Sequence, residues 1–327
     1  MCYKDQIQIG IDMGTSSVKL VFLKDGKILY TTKKEHKGNG LRTLDKMLDR
    51  VAVPGISLES ADTLAAATGS GAAEILQLSP DIRMAEEIPA ITEGCRLLCP
   101  QADSAIDIGC QNARYITGLR KGGPPQFAIN GHCAGGTGSF FESQMVRLNL
   151  PMEEYSSLIQ KAESIPRLSG RCAVFAKSDV IHLQQEQVPA ADIMLGLCYA
   201  MVRNYRSVLI GRLPVAAPVL LCGGVMKNQG VVRALGILHL KEEELVLPDH
   251  FEYEQAAGAA VMADQSVSLS DLRLALSRGT AQERHDPHLK IKSHGTGHQK
   301  QGNGGEGDGS RLLAGGKTFA GQLLSWH

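Results

Sequence analysis

Two short stretches of the 327-residue chain set a carboxylate at the end of an apolar run and follow it with a glycine turn. The first is Asp12-Met13-Gly14-Thr15-Ser16-Ser17, and the second is Asp107-Ile108-Gly109-Cys110-Gln111-Asn112. Such a turn presents consecutive backbone N–H groups and forms a cradle for phosphate. A strand-end carboxylate beside it can hold Mg²⁺ through water, because that ion keeps much of its hydration shell. Either turn alone also suits an ordinary polar hairpin. Facing each other, the two would grip a nucleotide's phosphates and its metal from both sides. A third stretch, Leu221-Cys222-Gly223-Gly224-Val225, ends a buried strand in glycines, which lets backbone approach a flat ligand closely.

Cysteine supplies a second kind of chemistry. The chain has eight, at positions 2, 95, 99, 110, 133, 172, 198 and 222. An even count would suggest disulfides in a secreted domain, but in a reducing compartment cysteines are more often ligands or inert core residues. Cys133 and Cys172 each stand where a helix is predicted to begin, in Asn130-Gly131-His132-Cys133-Ala134-Gly135-Gly136-Thr137-Gly138 and Ser169-Gly170-Arg171-Cys172-Ala173-Val174-Phe175. The positive end of a helix dipole favours thiolate and stabilises a negatively charged cluster. Two thiolates are too few for a [4Fe-4S] cubane, which takes four, and a two-fold pair of chains would supply them. The competing reading makes both small core residues. Cys95 and Cys99, one helical turn apart, could pair on a metal but read more simply as structural, and Cys198 sits in a strongly apolar helix and reads as core. His132 is placed either to tune such a cluster through its hydrogen bonds or simply at the surface.

The elements that must position these groups follow from apolar periodicity. Ile7, Ile9 and Ile11 alternate before the first turn, and Val18, Leu20 and Phe22 after it, which predicts a β-hairpin with a third strand over 28–33. Helical pattern is expected over 41–52, 84–99, 137–148, 153–163, 173–186, 190–208, 226–236 and 254–264, and strands over 61–68, 104–109, 113–118 and 218–222. Strand, polar turn and strand thus occur twice, each time with Asp and Gly at the turn, a weak internal repeat. The domains expected are 1–103 and 104–266. Residues 267–327 are expected to form a flexible glycine-rich tail, since 290–310 is polar, aperiodic and unable to bury enough apolar surface to offset chain entropy. Its histidines lack any fixed geometry for a metal.

The composition, 43% hydrophobic and 21% charged, is that of a globular domain, and a formal net charge of zero with no basic stripe points away from nucleic acid and anionic membrane. No apolar run approaches the roughly 20 residues of a membrane span. The first residues lack a signal peptide's apolar core, so a cytoplasmic location is the expectation.

The three glycine motifs, in this order, resemble the phosphate-1, phosphate-2 and adenosine motifs of the actin, hexokinase and acetate kinase superfamily, which implies an α/β actin-like ATPase with duplicated ribonuclease H-like subdomains and a nucleotide cleft between two domains. The cysteine motifs resemble more specifically the activator family of 2-hydroxyacyl-CoA dehydratases and benzoyl-CoA reductases. Its first cluster motif, close to Cys-Ala-Ala-Gly-Thr-Gly-x-Phe-Leu-Glu, is matched from Cys133 to Glu142 with Gly135 and Phe141 as changes. Its second, Cys-x-Val-Phe-Ala-Glu-Ser-Glu-Val-Ile, is matched from Cys172 to Ile181 with Lys177 and Asp179 as changes. Glu87 to Gly94 and Gln255 to Ala260 also fit, and the resemblance spans roughly 7–264.

The resemblance implies an oxygen-sensitive homodimer with one bridging [4Fe-4S] cluster on Cys133 and Cys172. It also implies ATP hydrolysis with Mg²⁺ that forces a low-potential electron into an iron–sulfur dehydratase or reductase acting on CoA thioesters, with ferredoxin or flavodoxin as donor. Asp12, Gly14, Thr15 and Ser16 would form the first phosphate loop. Asp107, Gly109 and Gln111 would form the second, with Asp107 helping to hold Mg²⁺ and Gln111 orienting the attacking water. Gly223 and Gly224 would lie against adenosine. The sequence departs from the family at Cys110 and Asn112, where Gly and Asp are usual. It departs again at Thr68-Gly69-Ser70-Gly71-Ala72, which loses an arginine. An actin-fold small-molecule kinase and a non-catalytic nucleotide-dependent regulator are the other readings.

Overall fold

In the computed structural model the described residues are 6–53, 63–121, 123–130, 137–150, 154–169, 173–238 and 244–285. The chain opens with the expected hairpin and third strand, Ile7–Met13 (β1), Ser17–Lys24 (β2) and Lys27–Glu35 (β3). Helix Gly40–Arg50 (α1) then crosses to Thr63–Thr68 (β4), which pairs parallel to β1. A parallel pairing needs such a crossover, because the chain must return to the starting edge of the sheet. Ala72–Leu78 (α2) and the two-residue Arg83–Met84 (β5) complete a sheet of order β3-β2-β1-β4-β5. Glu87–Leu98 (α3) leaves it.

The same plan is then repeated. Ser104–Ile108 (β6), Ala113–Thr117 (β7) and Gln126–Ile129 (β8) form an antiparallel meander. A long helical excursion follows: Gly138–Leu148 (α4), Tyr155–Ile159 (α5), Ala173–Gln185 (α6), and Ala190–Asn204 (α7) with a π-helical turn at Tyr205–Ile210. Val219–Cys222 (β9) returns parallel to β6, and a 3₁₀ turn at Gly224–Lys227, Gln229–Ala234 (α8) and Leu245–Val246 (β10) follow. The second sheet has the order β10-β9-β6-β7-β8, strand for strand the plan of the first. The weak repeat read from two turns is therefore a duplication of the whole sheet.

Between the halves, α3 crosses Glu254–Met262 (α9) with backbone touching backbone. A Cβ at Gly94 would stand 1.7 Å from the Glu254 carbonyl oxygen, and one at Gly258 would stand 1.6 Å from that of Ala90. α9 also lies on the first sheet, where a Cβ at Gly10 would meet the Ala256 oxygen at 1.8 Å. One apolar core lies under the first sheet and a larger one among α4–α8 and the second sheet.

The expectation of a tail from 267 is corrected over 267–285. Leu269–His285 (α10) is a helix whose Leu272 and Leu276 are buried in the first core with Val267 and Leu269. Ser266 bridges to Leu64, so the chain returns to the first half to finish its core. Residues 286–327, including the glycine-rich stretch, lie outside the described residues. Two further expectations are shortened: the helix expected over 153–163 is confined to Tyr155–Ile159, and the one expected over 226–236 is a 3₁₀ turn followed by six residues of α8.

Candidate functional site

Each strand-end aspartate is set by the same local construction. β1 and β2 place Asp12 opposite Lys19, whose Nζ donates to Asp12 Oδ2 at 3.0 Å. β6 and β7 place Asp107 opposite Arg114, whose Nη1 donates to Asp107 Oδ2 at 2.8 Å. The turns close alike: Gly14 N–H donates to the Ser17 carbonyl at 3.0 Å, and Gly109 N–H to that of Asn112 at 2.8 Å. Each aspartate also abuts a glycine after the neighbouring parallel strand, Gly69 at φ +91° and Gly223 at φ +86°. A Cβ at either would stand 2.6 Å from the carboxylate oxygen, so the left-handed backbone and the close approach both call for glycine.

The two turns face one cleft. Asp12, Gly14, Thr15 and Ser16 line it from the first half. Asp107, Gly109, Gln111, Gly223 and Gly224 line it from the second, so all nine nucleotide residues read from the sequence are brought together. His36 steadies the first turn, its Nε2 donating to the Gly14 carbonyl at 3.0 Å. The second turn is tied to the start of α4, where Gly138 N–H donates to Gly109 O at 2.9 Å and Ser139 N–H to Cys110 O at 2.8 Å. Cys133 and Cys172 lie outside the described residues, as does His132.

Sequence reasoning missed the charges that surround the aspartates. Lys19, Lys33, Arg114 and Lys227 line the cavity with Glu35, Glu87 and Glu254. Burial works against the Lys19 ammonium, but Asp12 and then Glu254 outweigh it and hold its pKa above the ordinary value. Arg114, also buried, is held up by Asp107 and Glu87, to both of which it donates. Glu254, the first residue of α9, is 2% exposed, and its Oε2 has no hydrogen-bond partner. Burial, then the nearby Asp107, push its carboxyl up to about 8 against the pull of Lys19. The signal for the two cations was present in the sequence as a basic residue seven positions after each aspartate. Glu254 had none beyond its place at a helix start.

Among the described residues no group of three or more His, Cys, Asp or Glu is close enough to hold a metal ion directly. Asp12, Asp107 and Glu254 nevertheless reach one cavity from β1, β6 and α9, and Glu254 keeps a buried free acceptor. That donor set fits an ion held through its water shell. Cys110 faces the same cavity, its thiol pushed up to about 11 by burial and by Glu142, so it is a poor nucleophile at neutral pH. Cys95 and Cys99 are buried in one small core with Cys222, the Cys95 and Cys222 sulfurs 4.0 Å apart. Cys198 is buried in the large core, its sulfur 3.1 Å from the Tyr155 hydroxyl.

Two duplicated β-sheets with a phosphate-type turn from each, facing one cleft, define an actin-like ATPase. The model of the BadF/BadG/BcrA/BcrD ATPase family matches residues 9–263, and the chain belongs to that family. The activator of lactoyl-CoA dehydratase from Anaerotignum propionicum is 34% identical over 256 residues, 78% of this chain and 96% of that protein. The (R)-2-hydroxyglutaryl-CoA dehydratase activating ATPase of Acidaminococcus fermentans is 29% identical over 262 residues, 78% of this chain and 96% of its own length. The crystal structure of component A of that organism's dehydratase superposes with a TM-score of 0.70 at 26% identity, covering 79% of this chain and 97% of that one. No helix among the described residues is long and apolar enough to cross a membrane.

Proposed function

We propose that this chain is an ATP-dependent reductive activator. ATP hydrolysis in the cleft would drive a low-potential electron from a [4Fe-4S] cluster, held by Cys133 and Cys172 of two copies, into an iron–sulfur dehydratase or reductase acting on CoA thioesters. Ferredoxin or flavodoxin would be the donor, and the cytoplasm the compartment. The observation that carries this reading is the relative from Anaerotignum propionicum, named an activator and matched along 96% of its length. Exposed Phe127 and Ile129 shortly before Cys133, and exposed Phe175 shortly after Cys172, supply apolar surface beside both cysteines in the sequence, as a dimer seam would need.

Within the cleft, the N–H groups of the Thr15–Ser16 and Cys110–Gln111 turns would take the phosphates. Asp12, Asp107 and Glu254 would accept hydrogen bonds from the water shell of Mg²⁺, which when bound supplies charge neutralisation at the phosphates. Gln111 is exposed to the cavity and would orient the attacking water. Gly223 and Gly224 would lie against adenosine. ATP and its products would then favour different closures of the halves about the α3–α9 crossing, in proportion to their differential affinity for each.

The test is anaerobic purification with iron, sulfide and visible spectra, beside Cys133→Ala and Cys172→Ala. About four irons per dimer, lost in either variant, is the expected result. A colourless dimer that stays without cluster after reconstitution would overturn the electron-transfer reading and leave a nucleotide-dependent kinase or regulator.

A further inference from the structure

Glu252 is gripped from both sides of the nucleotide cleft. Lys33 of β3, in the first sheet, places Nζ 2.8 Å from Glu252 Oε2. Lys227, at the end of the 3₁₀ turn that follows Gly223, places Nζ 2.8 Å from Oε1. Burial disfavours the Glu252 carboxylate, yet Lys227 and Lys33 outweigh that and hold its pKa below the ordinary value.

The loop carrying Glu252 also holds the glycines themselves, since Gly223 N–H donates to the Phe251 carbonyl at 2.9 Å. Lys33 Nζ lies 3.9 Å from where a Cβ at Gly224 would stand. Two residues earlier on β3, Thr31 Oγ1 lies 3.5 Å from His250 Nδ1, a second link to the same loop. Lys33, Gly223, Gly224 and Lys227 all line the cavity.

We propose that Lys33 is a cross-cleft latch: its ion pair with Glu252 ties the first sheet to the loop bearing Gly223 and Gly224, and it must break before the halves separate to release nucleotide. The argument rests on the pair's position. Lys33 lies in the first sheet, Glu252 is joined to the second half through Lys227 and the Phe251–Gly223 hydrogen bond, and the ammonium itself borders the cavity. Lys33 is thus a positioning residue that governs exchange rather than a group required for phosphate cleavage.

The test is release of a fluorescent ADP analogue, followed by stopped flow after mixing with excess unlabelled ADP, in Lys33→Arg, Lys33→Met, Lys33→Glu, Glu252→Gln and the Lys33→Met/Glu252→Gln double variant. Lys33→Met is expected to speed release about tenfold, the coupling typical of charged side chains in contact. Lys33→Glu, which sets two carboxylates together, is expected to speed it further, and Lys33→Arg to stay near wild type. The double variant should release no faster than the faster single one. A Lys33→Met off-rate equal to wild type, or single effects that multiply in the double variant, would overturn the latch. Should Lys33→Glu fail to fold, the Arg, Met and double variants still decide the matter.

Discussion

Replacing Gly258 with alanine should destabilise the protein even though alanine is the better helix former. Gly258 lies in the middle of α9, where substitution by alanine would by itself gain about 1 kcal/mol. The added Cβ, however, would stand 1.6 Å from the Ala90 oxygen and 2.7 Å from the Gly94 nitrogen, both backbone atoms of α3. Ordinary contact begins near 3.4 Å, so the helices must part by about 2 Å at their crossing. Overpacking of this kind costs about 1–3 kcal/mol and occasionally more. A clash with backbone, which no rotamer can relieve, belongs at the upper end. The net loss should be about 2 kcal/mol, or about 3 °C in melting temperature for a chain of this size. Calorimetry on Gly258→Ala, Gly94→Ala and the double variant measures it, with Gly236→Ala as control because a Cβ there meets nothing within 4 Å. The double variant should lose less than the sum of the singles, since one separation of the helices relieves both clashes. An unchanged or raised melting temperature for Gly258→Ala would refute the crossing geometry.

Arg114→Met should cost about 3–5 kcal/mol in urea unfolding, because it leaves the buried Asp107 without its cation; a loss below about 1 kcal/mol would count against the pair. Leu276→Ala, in the helix that closes the first core, should cost about 2–5 kcal/mol by the same assay, and a neutral result would place that helix off the core. Alkylation of Cys110 by iodoacetamide, located by peptide mass, should quicken about tenfold per pH unit up to about 11, since the raised thiol pKa leaves little thiolate below it. Bound ADP should slow that reaction, and a rate that rises only about three- to fivefold between pH 8 and 9 and levels off above it would show the thiol to be unperturbed.

What the sequence disclosed depended on how much of each signal was local. The first hairpin was legible because Ile7, Ile9 and Ile11 alternate with the small or polar Gln8, Gly10 and Asp12, even though both faces of the strand are largely buried. β8 was missed because an edge strand with Gln126, Phe127 and Ile129 exposed carries no such alternation. Leu269, Leu272 and Leu276 do follow helical spacing, yet the glycine-rich sequence soon after them dominated the reading of the region. The glycines of the site were legible because their demand is set by the turn itself. Glu252 and Glu254 were not, because their significance comes from Lys33 and from Asp107, more than a hundred residues away in the chain.

The duplication also accounts for where stiffness and movement are placed. In both halves the aspartate is fixed by a cross-strand cation, a closed turn and a glycine of positive φ, so neither phosphate-type turn can shift alone without losing a buried ion pair. A buried charge deprived of its partner is costly, which makes each hairpin a rigid unit. At the α3–α9 crossing, by contrast, glycine meets backbone, and no interlocked side chains at Gly94 and Gly258 oppose a small rotation of one helix over the other. The halves thus meet backbone to backbone at the crossing, while buried ion pairs hold each turn in place. The proposed Lys33 latch adds a contact from the first sheet to the loop beside Gly223 and Gly224.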